Sequence, residues 1–344
     1  MSMAVTRRPT RKDHVPKRRR PPSSQSPRAD ATSQPDIFTP PAGSLPGRVV
    51  RAFGLWHEVR LEDRTLLCTM RGLLKRRRQR TDIVAVGDQV WVTDLGGDEG
   101  VIEAVEPRTR VLARTARNTD DVEQVILANP DQALFVFAVH DPEPHVRMLD
   151  RFLILAELQG LPARIAANKI DLDNPPGHAA ELFCPYTGAY PIHYVSVRSG
   201  AGLNDLRAAL AGRVTAVAGP SGVGKSSLLN ALHPDGDRTI GDISEATGKG
   251  RHTTTATRLY EIGPATFVAD TPGMRALAMH AVDADRLPGC FPELRPYLDQ
   301  CLYPDCTHVI EAGCAVREAV GAGAIPLLRY ESYVALRTGD EVRQ

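Results

Sequence analysis

Hydrophobic and polar residues alternate between Gly47 and about Arg114, in five short runs separated by Gly and Asp turns. Alternation with a period of two is typical of strands that bury one face. Five such strands predict a small all-β barrel of the OB type, spanning residues 45–115, and such barrels commonly bind oligonucleotides. The five runs are GRVVRAF, WHEVRLE, RTLLCTMRG, DQVWVTDL and EGVIEAVEPR.

From about Ala116 the pattern changes to continuous apolar runs that alternate with runs of helical periodicity. Continuous apolar strands joined by helices predict a mostly parallel α/β sheet, whose binding sites lie at the carboxyl ends of its strands. We assign this domain to residues 116–278 and expect short helices in a small domain at 279–344. The predicted strands are QALFVFAVH, PARIAANKID, YPIHYVSV, RVTAVAG, TRLYEIG and ATFVADTPG, and the predicted helices are VRMLDRFLILAELQG, GLNDLRAAL and SSLLNAL.

The formal net charge of +1 hides a strong asymmetry along the chain. Residues 1–44 are rich in Pro, Arg and Ser, which predicts a disordered basic tail, and RGLLKRRRQR at 71–80 predicts a basic loop of the barrel. Either segment can bind RNA by neutralising phosphates, or can be a solvated segment without a partner. The chain has no membrane-length apolar stretch and no apolar signal core, and the Pro-rich start favours the cytoplasm over an organellar transit peptide.

A phosphate-binding loop is indicated by GPSGVGKSS, which follows a predicted strand and precedes a predicted helix. Glycines allow the tight turn that points backbone N–H groups at phosphates, and the helix N-terminus adds positive charge. Lys225 would reach the β- and γ-phosphates, and Ser226 would bind Mg²⁺. The predicted nucleotide-binding residues of this loop are Gly219, Pro220, Ser221, Gly222, Val223, Gly224, Lys225, Ser226 and Ser227.

The run NKID, Asn168 to Asp171, matches the pattern by which many proteins recognise guanine. Asp171 would accept hydrogen bonds from guanine N1–H and the exocyclic amine, a pair of donors that adenine lacks. Asn168 would fix the loop and contact the base, and Lys169 would lay its stem along the ring. Ser196, in VSVRSG after the next strand, would support the guanine through its backbone N–H.

The run DTPG closes the last predicted strand, where Asp270 would hold Mg²⁺ through water and the Gly273 N–H would meet the γ-phosphate. The next residue is Met274, which cannot orient water as a Gln does in many GTPases. The aperiodic segment 234–256 predicts a long loop that contains GKGRHTTT. In it, His252 is either idle or positions the attacking water, and Thr254 or a neighbouring Thr would bind Mg²⁺.

The spacing C-x4-C-x-H-x5-C, formed by Cys301, Cys306, His308 and Cys314, predicts a closed tetrahedral structural zinc site. A disulfide pair would leave an odd thiol and does not suit the cytosol. The remaining cysteines, Cys68, Cys184 and Cys290, are predicted to be packed thiols.

These motifs stand in an unusual order, because the guanine motif precedes the phosphate loop as it would after circular permutation. With an OB-like barrel before them and a Cys3His cluster after them, they resemble the RsgA family of bacterial small-ribosomal-subunit biogenesis GTPases. The resemblance covers residues 45–320 and rests on NKID, GPSGVGKSSLLN, GRHTTT, DTPG and the zinc spacing.

The resemblance implies a monomeric factor in late small (30S) subunit maturation, whose GTP hydrolysis is stimulated by the subunit and coupled to release. It implies that His252 is catalytic, together with Thr254, Lys225 and Asp270, and that the barrel, tail and zinc segment contact rRNA. Three alternatives stay open from the residues themselves: a P-loop ATPase or kinase, a non-catalytic RNA-binding scaffold, and a permuted GTPase of the large subunit.

Overall fold

The computed structural model describes residues 38–72, 82–115, 123–233, 257–271, 274 and 282–339. None of the helices in these ranges is long and apolar enough to cross a membrane. The strands are β1 Leu45–Phe53, β2 Trp56–Arg60, β3 Thr65–Met70, β4 Gln89–Gly96, β5 Glu99–Val105, β6 Val111–Thr115, β7 Glu123–Ala128, β8 Gln132–Ala138, β9 Ala163–Asn168, β10 Ile192–Val195, β11 Val214–Ala218, β12 Arg258–Gly263 and β13 Thr266–Asp270. The α-helices are α1 Val146–Leu158, α2 His178–Phe183, α3 Leu203–Leu210, α4 Lys225–Leu232, α5 Ala315–Gly321 and α6 Leu327–Thr338, with 3-10 turns at Ile170–Leu172, Cys184–Tyr186, Pro288–Cys290 and Arg295–Gln300.

The five predicted strands of the first domain form a closed barrel in the order β1-β2-β3-β5-β4, and β4 pairs back with β1. All neighbours are antiparallel except β3 and β5. The interior is narrow: a Cβ on Gly100 would lie 2.9 Å from the Cys68 Sγ and 2.8 Å from a Val92 methyl. The predicted barrel is therefore confirmed, while residues 73–80, most of its basic loop, lie outside the described residues.

The central sheet has the strand order β10-β9-β8-β11-β13-β12, parallel except for β12. Strand β8 is buried on both faces, as its continuous apolar run predicts. Phe135 and Phe137 pack on Phe152 of α1, with ring centroids 5.3 and 6.2 Å apart. Leu134 and Val136 belong instead to the core beneath α3 and α4. The predicted two-sided α/β sheet is confirmed.

The barrel and the central sheet are continuous, because β1 also pairs antiparallel with β12 at Arg51 and Arg258. An ion pair between the Arg60 Nε and the Glu261 Oε2, at 2.8 Å, lies across the same junction. A hairpin that the sequence pattern did not predict, β6–β7, spans the proposed domain boundary at residue 115. The boundaries themselves stay a prediction.

The C-terminal segment has its own hydrophobic core, built from the turns at Pro288–Cys290 and Arg295–Gln300 and from helices α5 and α6. Ile154 of α1 belongs to this core, so the segment packs directly on the α/β domain. Of the three cysteines predicted to be packed, Cys68 and Cys290 are buried. The prediction was wrong for Cys184, which is exposed at the first position of a short 3-10 turn.

Candidate nucleotide and metal sites

The predicted nucleotide motifs meet at one edge of the central sheet. Strand β9 ends at Asn168, β11 ends just before Gly219, and β13 ends at Asp270. These three strands run parallel to one another through β8, so their carboxyl ends lie on the same side of the domain. Ser196 follows β10 at this same edge.

The phosphate loop requires glycine at two positions. Gly219 has φ +155° and a Cβ there would lie 2.2 Å from the Val136 carbonyl oxygen. Gly224 has φ +89° and a Cβ would lie 2.6 Å from the Asn168 Nδ2. Helix α4 begins directly afterwards, at Lys225, so its free N–H groups face the loop.

The other residues of the loop are arranged as a phosphate-binding turn demands. The Lys225 Nζ folds back over the loop and donates to the carbonyl oxygens of Gly219 and Pro220, at 3.0 and 2.6 Å. Val223 is buried and anchors the loop in the core below it. The serines lie toward the outside: Ser221 and Ser227 are exposed, as is Gly222 between them, and Ser226 is half-buried.

Asn168 joins the guanine motif to the phosphate loop. Its side chain is buried, and its Nδ2 donates to the Val223 carbonyl oxygen at 2.9 Å. Its backbone carbonyl accepts from the Val139 N–H at the end of β8. The two motifs, separated by about fifty residues in the chain, are therefore held together by one amide side chain.

Asp171 and Ser196 are also brought together, although through a different contact from the predicted one. The Ser196 hydroxyl donates to the Asp171 Oδ1 at 2.5 Å. The Ser196 N–H, which was expected to face guanine, donates to the Ala201 carbonyl at 3.0 Å. The Ser196 N–H is therefore used within its own turn, and the Ser196 hydroxyl orients the Asp171 carboxylate.

A loop that the sequence reading missed lies between the two motifs. Lys169, in the left-handed region with φ +63°, donates from its Nζ to the Asp141 carbonyl oxygen. A Cβ on Gly222 would lie 3.7 Å from the Pro142 Cδ, so the same loop also borders the phosphate loop. The sequence could have indicated this loop, because the turn-forming run HDPEP follows the end of β8, at the same sheet edge where β9 and β11 end.

Asp270 lies at the end of β13, next to the phosphate loop on β11. Burial raises the pKa of Asp270, and the positive charge of Lys225 opposes that rise. Met274 is fully buried in the main core, so its side chain is withdrawn from the nucleotide edge. Three predicted site residues, His252, Thr254 and Gly273, lie outside the described residues.

The four predicted zinc ligands converge, and their ligand atoms all lie within 4.8 Å of one another. The His308 Nδ1 is 3.4 Å from the Cys301 Sγ and 3.6 Å from the Cys314 Sγ, and those two sulfurs are 3.9 Å apart. Tetrahedral zinc with bonds of 2.0–2.3 Å sets edges of roughly 3.5–3.8 Å, so the donor set fits this metal.

The segment that carries His308 is fixed by the residues around it. The Glu311 carboxylate accepts from the Thr307 and Val309 N–H groups and from the Thr307 hydroxyl. Tyr330 and Tyr333 of α6 donate their hydroxyls to the His308 and Thr307 carbonyls, at 2.9 and 2.6 Å. The four side chains thus form a candidate metal site on a prearranged backbone.

A phosphate loop, a guanine motif and a strand-end aspartate at one sheet edge define a P-loop nucleotide-binding domain of the GTPase class. The RsgA GTPase family profile matches residues 105–280. The small ribosomal subunit biogenesis GTPase RsgA of Gemmatimonas aurantiaca is 43% identical over 297 residues, which are 86% of this chain and 97% of that protein. The corresponding protein of Geobacillus kaustophilus is 38% identical over 84% of this chain and 95% of its own length. The chain belongs to the RsgA GTPase family, whose members hydrolyse GTP.

Two solved structures share this architecture. The crystal structure of YjeQ from Thermotoga maritima has a TM-score of 0.70 at 33% identity and covers 88% of this chain and 100% of its own. The crystal structure of YloQ, described as a circularly permuted GTPase, has a TM-score of 0.68 at 25% identity, with 88% and 97% covered. The predicted fold is thereby confirmed: a barrel, a circularly permuted GTPase domain and a helical segment with a Cys3His cluster.

Proposed function

We propose that the chain acts in late maturation of the small (30S) ribosomal subunit, and that the subunit stimulates its GTP hydrolysis and is thereby released. The observation that carries this is the 43% identity to a small ribosomal subunit biogenesis GTPase across 97% of that protein's length. The described residues include the barrel, the central sheet of the GTPase domain and the Cys3His cluster. The parts that would contact rRNA, the nucleotide and the metal are therefore all present.

Guanine recognition rests on the Asp171 carboxylate. The Asp171 Oδ1 already accepts one hydrogen bond, from the Ser196 hydroxyl. The remaining lone pairs of the carboxylate would accept from guanine N1–H and the exocyclic amine. Lys169 would leave the Asp141 carbonyl and lie along the base. Asn168 fixes this motif against the phosphate loop through its hydrogen bond to the Val223 carbonyl oxygen.

The phosphates would lie on the N–H groups of the loop at the start of α4. Lys225, now bonded to two loop carbonyls, would move to the β- and γ-phosphates, which are stronger acceptors for an ammonium group. In hydrolysis, water attacks the γ-phosphorus, the bond to the β-phosphate oxygen breaks, and GDP and phosphate are formed. His252 would position that water, because Met274 is buried and has no polar group.

The proposal includes two metal ions, magnesium bound with GTP and zinc in the C-terminal segment. Magnesium, when bound with GTP, neutralises the charge that develops on the phosphates, and Ser226, Asp270 and Thr254 supply suitable oxygen donors. Zinc at Cys301, Cys306, His308 and Cys314 would be structural, because four protein ligands leave no open position.

The barrel, the basic tail and the zinc segment would contact rRNA, and the chain would act as a cytoplasmic monomer. The domains would be the tail at 1–44, the barrel at 45–115, the GTPase domain at 116–278 and the zinc domain at 279–344. The tail falls largely outside the described residues, so its role rests on its charge.

The test is GTP turnover by the full chain, with and without purified small subunits. Wild type should be strongly stimulated, whereas Lys225→Ala should lose GTP binding and His252→Ala should bind GTP but respond weakly. Arg147→Gln, a charge change at an exposed position of α1, is the matched control and should respond like wild type. Stimulation by large subunits with no response to small subunits would overturn the proposal.

A further inference from the structure

One face of the barrel–sheet junction carries aromatic and arginine side chains in alternation. It consists of Trp56 on β2, Phe53 and Arg51 on β1, and Arg258 and Tyr260 on β12, and is called the junction face below. Phe53 pairs with Trp56 across β1 and β2, and Arg51 pairs with Arg258 across β1 and β12. Directly paired residues share a face of a sheet, and so do residues two apart on one strand.

The side chains of the junction face are stacked; Arg51, Phe53 and Trp56 are exposed, and Arg258 and Tyr260 are half-buried. The Arg51 guanidinium lies 5.1 Å from the centre of the Phe53 ring, and that of Arg258 lies 5.3 Å from the centre of the Tyr260 ring. Phe53 is 39% exposed and Trp56 is 41% exposed. Aromatic residues of this size are usually buried, so two exposed rings side by side need an explanation.

The charges of the junction face are incompletely compensated. Like charges placed directly opposite each other destabilise a sheet, and Arg51 and Arg258 are such a pair. Arg51 has a carboxylate partner, Glu58, at 3.3 Å. Arg258 lies opposite Asp270 in the register of β12 and β13, but among the described residues it forms no ion pair: its guanidinium stacks on Tyr260, and its buried Nε has no hydrogen-bond acceptor.

We propose that the junction face binds a single-stranded RNA segment, with bases stacked on Trp56, Phe53 and the arginine planes and a phosphate on Arg258. This rests on the proposed function and names one surface that would meet rRNA. Unpaired RNA offers flat bases that stack on aromatic rings and on guanidinium planes, and phosphates that pair with Arg. An acidic peptide would satisfy Arg258 but would leave the exposed rings without a stacking partner.

The location gives this surface a direct relation to the nucleotide site. Arg258 pairs across β12 and β13 with Asp270, the proposed magnesium-side carboxylate. An RNA strand on the junction face would therefore lie one β-strand away from the catalytic edge. It would also contact the barrel and the GTPase domain at once, because β1 and β12 belong to different domains.

The test uses the full chain and a fluorescent single-stranded oligoribonucleotide of about ten nucleotides that carries 5-iodouridine. Irradiation should cross-link the RNA to peptides that contain Phe53, Trp56 or Tyr260. Phe53→Leu should weaken binding at least about fivefold, and Phe53→Tyr, which keeps the ring, should restore it. Arg258→Gln should lower the slope of log affinity against log salt by about one.

Arg147→Gln removes the same charge from an exposed position of α1 and should leave more of the affinity than Arg258→Gln does. Circular dichroism melting checks that each variant is folded. Cross-links confined to other peptides, equal losses in Arg258→Gln and Arg147→Gln, or competition by polyglutamate but not by RNA would each overturn the junction face as an RNA site.

Turnover of GTP with small subunits, measured in parallel, separates the two proposals. Stimulated turnover without a cross-link at the junction face would overturn this inference and leave the proposed function intact. A cross-link at the junction face without any stimulation would overturn the proposed function and support the RNA surface.

Discussion

Asn168 and Gly224 show how closely single residues define the nucleotide site. The Asn168 side chain is buried between the guanine motif and the phosphate loop, and only the absence of a Cβ on Gly224 leaves room for its amide. The left-handed backbone of Gly224 would itself cost another residue about 1–2 kcal/mol. The two motifs therefore constrain each other through one contact that neither motif alone reveals.

Asp171→Asn is expected to abolish the preference for guanine while leaving the fold intact. The Asn oxygen can still accept from Ser196, but its amide would face the N–H donors of guanine. Loss of charge-assisted hydrogen bonds, each about 1.5–3 kcal/mol, should weaken GTP binding by at least about tenfold. The measurement is the dissociation constant of GTP relative to ATP, taken beside a thermal melt.

Xanthosine triphosphate provides the matched comparison for this substitution. Xanthine carries a carbonyl oxygen where guanine has its amine, so the Asn amide can donate to it. We expect Asp171→Asn to gain affinity for xanthosine triphosphate relative to GTP. Unchanged selectivity for GTP over both competitors would show that Asp171 does not contact the base.

Helix α1 connects the nucleotide edge to the metal-binding segment. It begins just after the loop of Asp141 and Pro142, and its buried Asp150 is bonded to Arg329 of α6. Arg329 also pairs with Glu293 and lies over the rings of Phe291 and Tyr186, at 4.6 and 5.0 Å. The guanidinium thus holds two carboxylates and two rings, and it fixes α6 against the GTPase domain.

Arg329→Met is expected to destabilise the protein by about 3–5 kcal/mol, because it leaves buried carboxylates without their cation. Burial already raises the pKa of Asp150, and Arg329 is the largest influence that lowers it. The free energy of unfolding in urea is the measurement. Arg317→Met, at an exposed position of α5, is the control and should cost less than about 1 kcal/mol.

A second substitution tests the cause of that loss. The double variant Arg329→Met with Asp150→Leu removes both the cation and the Asp150 carboxylate. Its loss of unfolding free energy should be smaller than the sum of the losses in the two single variants, because no unpaired Asp150 charge is left buried. Additive losses would mean that the two side chains contribute independently.

The elements that strong periodicity specifies were predictable, and those fixed by distant contacts were not. The continuous run of β8 and the strand–loop–helix around Lys225 predict the α/β sheet, and the order of motifs predicts the permutation. The six-residue helix α2 and the hairpin β6–β7 are too short to carry a clear period. An arginine in a helix is ordinarily expected to face solvent, so the sequence does not indicate that Arg329 is buried. Its partner Asp150 is 179 residues away in the chain, and only the folded structure shows the contact.

The whole molecule has separate hydrophobic cores for the barrel, the two faces of the central sheet and the C-terminal segment. Apart from Ile154 of α1, the C-terminal core belongs to a small segment, residues 282–339, whose described α-helices α5 and α6 have seven and twelve residues. A small core gains little from burial alone, so the metal is expected to supply much of its stability. The GTPase sheet, whose strands β8 and β11 are fully buried, is expected to be independent of that metal.

Removal of zinc should therefore open the C-terminal segment selectively. We expect the purified chain to contain one zinc per molecule, Cys306→Ser to lose it, and Cys184→Ser, at an exposed cysteine outside the cluster, to retain it. Hydrogen exchange after chelation should accelerate in α5 and α6, while β8 and β11 stay protected. Because α1 shares Ile154 and Asp150 with the opened segment, its exchange should rise to an intermediate level. Uniform loss of protection across β8 and β11 would show instead that the metal stabilises the entire molecule as one cooperative unit.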